Sequence, residues 1–546
     1  MSSFGTFSVP EPINEPVLGY TPGSPEKIAL KSELARQTAT QVDVPLRIGA
    51  ERVETGNTSP MIMPHEHAHI LGHYQEAGAA EAARAIAAAK AAAPAWGAMP
   101  WEDRAGIFLR AANLLQGEFR DRINASTMLN QSKTVHQAEI DAAAELIDFL
   151  KFNVAYMERI YREQPISVDG IRNRVEYRPL DGFVFAVTPF NFTSIAANLA
   201  AAPVLCGNTV VWKPAPTAVL SAHYTMDLFE AAGLPPGVIN FIPGPATEIG
   251  ATVMQDEDLA GVHFTGSTAV FKSLWGQVGS NIDHYRSYPR VVGETGGKDF
   301  IFAHKSAEPA SLATAMLRGA FEYQGQKCSA ASRAYIPDNL WPEVEKLITE
   351  GLATMGTGDP TDFRNFMGAV IDQRAFAKQK AAIDNARASV GKSIKKVIGG
   401  EYDDSKGYFV KPTIIVSNTP DSPTMQDELF GPILTVYIYP ADKFEATLET
   451  CNNGSRYALT GAIFANDRYA VATAVERLRS AAGNFYINDK PTGAVVGQQP
   501  FGGSRASGTN DKAGSMWNLI RWLSPRTIKE NFAPPRNYRY GFMDEK

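Results

Sequence analysis

The stretch GFVFAVTPFNFTSIAANLAAAPVLCGNTVVW, residues 182–212, decides the fold. It contains no charged residue, and prolines and asparagines divide it into an apolar run at 183–187, a helical middle at 194–205 and a second apolar run at 209–212. Parallel strands that are covered on both faces appear as unbroken apolar runs, so the pattern predicts a buried strand, helix and strand. A membrane span is not expected, because the interruptions would leave backbone groups unpaired in lipid.

The same alternation continues on the carboxyl side of this stretch. It is typical of a doubly wound parallel sheet, which binds ligands in loops at the carboxyl ends of its strands. A second alternating region predicts a second α/β domain around Cys328. The predicted elements are helices at 81–93, 139–163, 217–232 and 247–256, strands at 238–242, 261–264, 461–464 and 484–487, and ligand-facing loops at 188–191, 213–214 and 265–267.

Three flanking segments lie outside this alternation. The first sixty residues open with a proline-rich run and predict an extended arm. Residues 166–180 place Asp169 and Gly170 between residues of strand type, which predicts a hairpin. The basic and aromatic tail at 517–546 predicts a packing or oligomerisation arm, so we expect a homo-oligomer, either a dimer or an assembly of dimers.

Composition narrows the class of protein. The chain has 546 residues, 44% of them hydrophobic and 20% charged, as in ordinary globular proteins. The net charge is −6 and no long basic run is present, so nucleic acid is not an expected partner. The first basic residue is Lys27, which argues against a secretory signal or a mitochondrial presequence. We expect a cytoplasmic protein, or one of the mitochondrial matrix if a presequence has been removed.

The cysteines and histidines supply the reactive candidates. Cys206 and Cys451 lie in contexts that predict buried structural side chains. Cys328 lies in YQGQKCSAASR among small and polar residues, with Lys327 placed to favour a thiolate, so a nucleophile and a structural thiol both stay open. The HEHAH at 65–69 has the spacing of a zinc motif, but Pro64 precedes it and a short apolar run follows it. A strand edge is the better prediction there, and no metal site is expected.

Seven short motifs, read together with Cys328, resemble the aldehyde dehydrogenase superfamily. Within it, three longer stretches resemble the L-glutamate γ-semialdehyde dehydrogenases, at 139–149, 321–330 and 484–512. All seven occur in the order and at the approximate spacing found in that superfamily, between residues 188 and 503. They are TPFNF at 188–192, WKP at 212–214, FTGS at 264–267, ETGGK at 294–298, the cysteine segment, ELFGP at 428–432 and PFGG at 500–503.

The resemblance implies two doubly wound α/β domains and a small β oligomerisation flap. Residues 1–163 and 182–298 would form the NAD-binding domain with its N-terminal arm. Residues 299–516 would form the catalytic domain. Residues 164–181 and 517–546 would supply the oligomerisation hairpin and arm.

The resemblance also implies a reaction. The enzyme would use NAD to oxidise L-glutamate γ-semialdehyde, formed from Δ1-pyrroline-5-carboxylate, to L-glutamate, the second step of proline catabolism. Cys328 would attack the aldehyde, forming a thiohemiacetal and then a thioester. Asn191 and the backbone N–H of Cys328 would stabilise the oxyanion. Glu294 would activate the hydrolytic water.

Further residues are implied for the two ligands. Pro216 stands where many relatives carry an acidic residue, which weakens the argument for NAD over NADP. The implied cofactor residues are Lys213 and Glu428 at the riboses, Ser267 at the pyrophosphate, Phe430 beside the nicotinamide, and Pro189. The implied substrate residues are Gly493, Ala494 and Ser329 at the α-carboxylate, Phe192 and Phe501 along the chain, and Glu145 near the ammonium.

Two alternatives stay open. Another acidic semialdehyde, such as succinate semialdehyde, could be the substrate. A former dehydrogenase that has become a binding or structural protein would also fit the fold, although it would be expected to lose Cys328 or Glu294. A separate proline dehydrogenase is the expected functional partner, since no such domain is fused within this sequence.

Overall fold

The computed structural model describes residues 7–545. The predictions made for residues 1–6 and 546, at the outer ends of the two arms, lie outside these residues. The strands are β1 Val42–Val44, β2 Leu46–Ile48, β3 Glu51–Val53, β4 Thr58–Met63, β5 Glu66–Gln75, β6 Ile171–Arg178, β7 Phe183–Val187, β8 Thr209–Lys213, β9 Ile239–Phe241, β10 Leu259–Thr265, β11 Arg290–Glu294, β12 Asp299–Ala303, β13 Ala331–Pro337, β14 Ile394–Gly399, β15 Tyr402–Asp403, β16 Phe409–Val410, β17 Thr413–Ser417, β18 Ile433–Tyr439, β19 Tyr457–Ala458, β20 Thr460–Phe464, β21 Asn484–Ile487, β22 Ser504–Arg505 and β23 Ser524–Asn531.

The α-helices surround these strands, and a π-helical segment at Glu139–Glu145 joins α5 to α6. They are α1 Pro25–Ala39, α2 Ala79–Ala98, α3 Trp101–Gln116, α4 Arg120–Gln131, α5 Val135–Ala138, α6 Leu146–Arg162, α7 Thr193–Leu205, α8 Val219–Ala231, α9 Ala246–Val253, α10 Thr268–Ser280, α11 Pro309–Phe321, α12 Trp341–Thr354, α13 Gln373–Ala388, α14 Pro423–Gln426, α15 Phe444–Asn453, α16 Arg468–Arg477 and α17 Met516–Ile520.

The first sheet is built around the charge-free stretch. Its strand order is β11-β10-β7-β8-β9-β2-β3, and the strands from β7 to β11 pair in parallel. β7 and β8 are neighbours, with Phe183 paired to Thr209 and Val187 paired to Lys213, and the buried helix α7 connects them. The predicted strand, helix and strand are confirmed. Of the helices between residues 7 and 545, none combines the length and apolarity that a bilayer span requires.

The second sheet lies in the region predicted to form the catalytic domain. Its order is β14-β17-β18-β13-β12-β20-β21, parallel except for β14. The strands predicted at 461–464 and 484–487 are β20 and β21. The two-sheet α/β architecture is therefore confirmed. Residues 66–69 of the HEHAH segment lie in a strand, β5, but the predicted strand edge is wrong, because β5 is the middle strand between β1 and β4.

The extended arm predicted for the first sixty residues is wrong beyond residue 24. Helix α1 begins where the Ser24 hydroxyl accepts from the backbone N–H of Lys27, with Pro25 in the first turn. Strands β2 and β3 then join the first sheet, with Arg47 opposite Phe241. Strands of three residues are too short to show a period-two pattern, so β2 and β3 could not be predicted from the sequence.

The hairpin predicted at 166–180 is reduced to a single antiparallel bridge, between Val168 and Ile171. Asp169 and Gly170 do form a turn, in which the N–H of Ile171 donates to the carbonyl of Val168 at 2.9 Å. The strand that follows, β6, pairs antiparallel with β23 of the C-terminal arm. The predicted hairpin and the predicted arm are thus the two halves of one two-stranded sheet. Local turn residues reveal a turn but not the partner of the strand after it.

Candidate active site

A cavity of about 290 Å³ lies where the two α/β regions meet. Its wall includes the carboxyl ends of β10 and β11, the segment before β13, and the loop at 490–496. Eight residues predicted for the reaction line this one cavity, which brings the proposed nucleophile, base and substrate contacts together. They are Cys328, Glu294, Ser329, Gly493, Ala494, Phe192, Phe501 and Glu145.

Cys328 is presented by a tightly wound segment. Tyr323 and Gln324 have φ values of 51° and 54°, in the left-handed region, and the chain then leads through Cys328 into β13. Burial raises the pKa of the Cys328 thiol well above its usual value, and the carboxylates of Asp299, Glu428 and Glu294 raise it further. The thiol form therefore prevails when no ligand adds positive charge nearby.

Lys327 does not act as the sequence predicts. Its ammonium is buried and lies 3.1 Å from the Glu322 carboxylate, so it is paired away from the thiol. Burial would raise the pKa of Glu322, yet Lys327 and Lys490 lower it to about 2. The expectation that Lys327 favours a Cys328 thiolate is therefore wrong. Lys327, Lys490 and Arg318 line the cavity together with Glu322, which pairs with Lys327 and with Arg318.

Glu294 ends strand β11 on the cavity wall. Its Oε2 accepts a hydrogen bond from the backbone N–H of Gly503 at 3.2 Å. Burial raises the pKa of Glu294 well above its usual value, and Gly503 and Lys512 oppose that rise. A carboxylate with a raised pKa is a stronger base, which suits it to remove a proton from water.

Asn191 is buried beside the nucleophile segment rather than on the cavity wall. Its side-chain nitrogen donates to the backbone carbonyl of Gln326 at 3.0 Å. The amide carries a second N–H, which is the donor available to an oxyanion on a substrate held at Cys328. The oxyanion role of Asn191 stays a prediction.

The loop at 490–496 carries Gly493 and Ala494, which are predicted to bind the substrate carboxylate, and it lines the cavity. Gly493 has φ +92°, and the Ser329 hydroxyl lies 2.8 Å from that of Thr492. A Cβ added at Gly493 would lie 3.4 Å from the Lys490 ammonium, so a cation stands beside the predicted anion site. The sequence analysis did not predict Lys490 as a residue of the carboxylate site. Its position three residues before Gly493 was the signal that could have indicated it.

Glu145 ends the π-helical segment and faces the cavity. Its Oε2 accepts from the Ser194 hydroxyl at 2.6 Å. Burial raises the pKa of Glu145 to about 8, and the neighbouring Asp141 carboxylate adds to the rise. π-helical turns are rare and occur frequently at functional sites, which fits a segment that presents a carboxyl group to a ligand.

A buried ion pair supports this corner of the cavity. The Lys133 ammonium lies 2.6 Å from Asp141, and both side chains are fully buried. Asp141 also accepts from the backbone N–H groups of Thr193 and Ser194, each at 3.0 Å, and so caps α7. The Lys133 ammonium lies 4.3 Å from the centroid of the Phe192 ring. The pair therefore fixes both Phe192 and the start of α7.

Replacing Asp141 by Asn is expected to destabilise the protein by about 3–5 kcal/mol, because it leaves the buried Lys133 charge uncompensated. Chemical denaturation of the two proteins measures the difference. Asp384→Asn, which breaks the exposed pair with Lys380, is the matched control and should change stability far less. Equal stability of the Asp141→Asn and wild-type proteins would show that Lys133 is neutral in the fold.

The predicted cofactor residues lie apart from this cavity. Lys213 ends β8, is buried, and donates to the carbonyl of Pro214 at 3.2 Å. Burial lowers the pKa of Lys213 to about 8. Ser267 is the exposed N-cap of α10, and its hydroxyl accepts from the N–H of Val270 at 3.3 Å. A helix N-terminus and a lysine at the carboxyl ends of two strands suit a pyrophosphate and ribose hydroxyl groups.

Glu428 and Phe430 belong to a second group of cofactor candidates. One Glu428 oxygen accepts from the backbone N–H of Gly297 at 2.8 Å, which leaves the other oxygen for a ligand hydroxyl. Phe430 has φ 60°, and its ring centroid lies 5.9 Å from that of Phe190. Phe190 follows Pro189 in the loop after β7. The donor set therefore fits a nicotinamide dinucleotide, with the residue roles still predictions.

The aldehyde dehydrogenase family model matches residues 52–528. The chain belongs to the aldehyde dehydrogenase family. Within it, the chain is 48% identical to mitochondrial delta-1-pyrroline-5-carboxylate dehydrogenase of Dictyostelium discoideum, over 100% of this chain and 98% of the relative. It is also 48% identical to the mitochondrial enzyme of the same name from Homo sapiens, over 97% and 94%. The predicted superfamily is confirmed.

Solved structures of the family give the same result. Delta-pyrroline-5-carboxylate dehydrogenase from Mycobacterium tuberculosis, bound with NAD, is 53% identical, covers 100% of both chains and superposes with a TM-score of 0.96. The Thermus 1-pyrroline-5-carboxylate dehydrogenase with bound NAD is 31% identical, with 96% and 100% coverage and a TM-score of 0.90. Proline utilization A of Bdellovibrio bacteriovorus matches over 54% of its chain at 27% identity, with a TM-score of 0.89.

Proposed function

We propose that this protein is an NAD-dependent dehydrogenase that oxidises L-glutamate γ-semialdehyde, the open form of Δ1-pyrroline-5-carboxylate, to L-glutamate. The observation that carries the proposal is that one cavity joins the Cys328 thiol and the Glu294 carboxyl to the loop at Gly493. The first two groups suit aldehyde oxidation, and the loop suits a substrate carboxylate. Relatives that share nearly the whole chain are named for this substrate.

Substrate binding uses both ends of the cavity. The α-carboxylate accepts from the backbone N–H groups of Gly493 and Ala494 and from the Ser329 hydroxyl, with Lys490 adding positive charge. The α-ammonium lies against Glu145. The rings of Phe192 and Phe501 flank the aliphatic chain. These contacts place the aldehyde carbon at Cys328, where correct orientation removes much of the entropic barrier to attack.

The chemistry then proceeds on Cys328. The thiol releases its proton to solvent and its sulfur attacks the aldehyde carbon, giving a thiohemiacetal whose oxyanion accepts from Asn191 and from the backbone N–H of Cys328. One such donor is worth about 2.7–4 kcal/mol in the barrier. Lys213, Ser267 and Glu428 would hold NAD, which would supply the hydride acceptor, and Cys328 would then carry a thioester.

Hydrolysis completes the reaction. Glu294 takes a proton from water as the water oxygen attacks the thioester carbonyl, the carbon–sulfur bond breaks, and glutamate leaves. The overall balance is aldehyde, NAD and water to carboxylate, NADH and two protons. Glu294 must be ionised to act, so its raised pKa makes this step slower as the pH falls.

The decisive experiment is the initial rate of NADH formation with Δ1-pyrroline-5-carboxylate, succinate semialdehyde and propionaldehyde. A strong preference for the first compound is expected. Preference for succinate semialdehyde would support the alternative substrate, and inactivity with all three would support a binding or structural protein. Repeating the assay with NADP tests the doubt that Pro216 raises.

Glu145 leads to a pH prediction. With a pKa of about 8, Glu145 of the free enzyme carries its full charge only above that pH. The ratio of kcat/KM for wild type over Glu145→Gln should therefore be near one at pH 6 and rise to a plateau above pH 8. The substrate and Cys328 titrate in both proteins, so their contributions to the pH dependence cancel in this ratio. A ratio that does not vary with pH would remove Glu145 from the ammonium site.

The oligomeric contacts, the partner enzyme and the cellular location stay predictions. The sheet of β6 and β23 is the proposed dimerisation surface, and coupling to a separate proline dehydrogenase is the proposed partnership. Two of the relatives that match nearly the whole chain are named as mitochondrial, whereas the sequence favours the cytoplasm. Fractionation of the source cells would decide the location.

A further inference from the structure

The N-terminal segment before α1 runs along the helix that carries Glu145. Three of its backbone N–H groups donate to carboxylates on that helical stretch, from Val9 to Glu158 at 2.9 Å, from Glu15 to Asp148 at 2.7 Å, and from Leu18 to Glu139 at 2.9 Å. The segment and the helix therefore run in opposite directions. We call residues 13–18 the strap.

Asn14 ties the strap to two walls of the cavity. Its side-chain nitrogen donates to Asp148 Oδ2 at 2.7 Å and to the carbonyl of Val496 at 2.8 Å. Its side-chain oxygen accepts from the Gln498 amide at 3.0 Å. Both N–H groups of the Asn14 amide are therefore used, one towards α6 and the other towards the loop that carries Gly493.

The strap forms part of the cavity wall, close to the groups proposed to hold the amino-acid end of the substrate. Asn14, Glu15 and Val17 line the cavity. On the helix, the strap contacts Asp148, one turn beyond the position of Glu145. On the loop, it contacts Val496, two residues beyond Ala494. Both contacts thus fall just after the groups proposed to hold the ammonium and the carboxylate, on the same helix and on the same loop.

We propose that the strap is a length-selecting end wall, which admits five-carbon 2-amino-acid semialdehydes and disfavours the six-carbon homologue. The inference rests on the proposed function. With the aldehyde carbon fixed at Cys328, one added methylene pushes the charged end towards Asn14 and Val17. One methylene in a shaped pocket changes kcat/KM by about 10–200-fold.

The test compares kcat/KM for glutamate γ-semialdehyde with that for the six-carbon 2-amino-acid semialdehyde, in wild type and in Asn14→Ala. The variant should raise the six-carbon to five-carbon ratio about tenfold and raise KM for the five-carbon substrate with little change in kcat. Propionaldehyde, which has no amino-acid end, reports any damage at Cys328. Val17→Ala widens the same wall and replaces Asn14→Ala if that variant does not fold.

Tyr20→Phe is the matched control. It removes a hydrogen bond at 2.8 Å between the same arm and Glu139, and Tyr20 does not line the cavity. It should alter thermal stability but leave the ratio unchanged. The proposal is overturned if Asn14→Ala and Val17→Ala leave the ratio within about twofold of wild type, or if Tyr20→Phe shifts it equally. Wild type that does not oxidise the five-carbon substrate would instead overturn the proposed function.

Discussion

Cys328→Ala is expected to lower kcat by at least about 10⁴-fold, because the thiohemiacetal and the thioester cannot form without the sulfur. The binding site for NAD and the fold should be unaffected, since Cys328 faces a cavity rather than the core. Steady-state NADH formation measures the loss, and NAD titration by fluorescence shows that the variant still binds the cofactor.

Cys451→Ala is the control for this variant. Cys451 is fully buried in the catalytic region, where burial raises the pKa of its thiol to about 12, and it does not line the cavity. It should lose some stability and keep turnover. A thiol-alkylating reagent should inactivate wild type and the Cys451→Ala protein alike. Full activity of Cys328→Ala would refute the proposed mechanism.

Glu294→Gln is expected to separate the two halves of the reaction. The thioester should still form, giving a burst of about one NADH for each active site, while the steady-state rate falls by about 10²–10⁴-fold. The physical reason is that glutamine cannot accept the proton of the hydrolytic water. Rapid-mixing absorbance measures the burst, and mass spectrometry detects the acyl group on Cys328.

Asp511→Asn gives a matched comparison for that experiment. Asp511 lines the same cavity, and its charge contributes to the raised pKa of Glu294, but it is not proposed to move a proton. The steady-state rate of Asp511→Asn should stay within a few-fold of wild type. The acidic limb of its pH–rate profile should move to lower pH, because the pKa of Glu294 falls when the Asp511 charge is removed. Loss of the burst in Glu294→Gln would mean that Glu294 acts before hydride transfer, contrary to the proposal.

The catalytic and substrate residues could be predicted because each lies in a motif of a recognisable family. The cysteine segment, ETGGK at 294–298 and the loop at 490–496 are separated by long stretches of chain, yet the structure brings them to one cavity. The resemblance located these residues. The protonation state of Cys328 could not be predicted in the same way. Lys327 was expected to stabilise its thiolate, but the Lys327 ammonium pairs with the Glu322 carboxylate.

Pairing between distant segments was the commonest source of error. Asp169 and Gly170 correctly signal a turn, but the strand after them pairs with residues 524–531. Likewise, β2 and β3 carry too few residues to show their sheet. The sequence around Asn14 does not show what Asn14 contacts, and it joins two cavity walls only because Asp148 and Val496 lie near it in space.

The sequence by itself determined the α/β class, the central βαβ unit at 182–212 and the family, and it predicted which residues react. These follow from apolar periodicity and from motifs, which are local properties of the chain. Only the tertiary structure decided the partner of β6, the pairing of Lys327, the raised pKa of Glu145 and the place of the strap. Each of these depends on burial and on contacts between residues far apart in sequence, which local patterns do not encode.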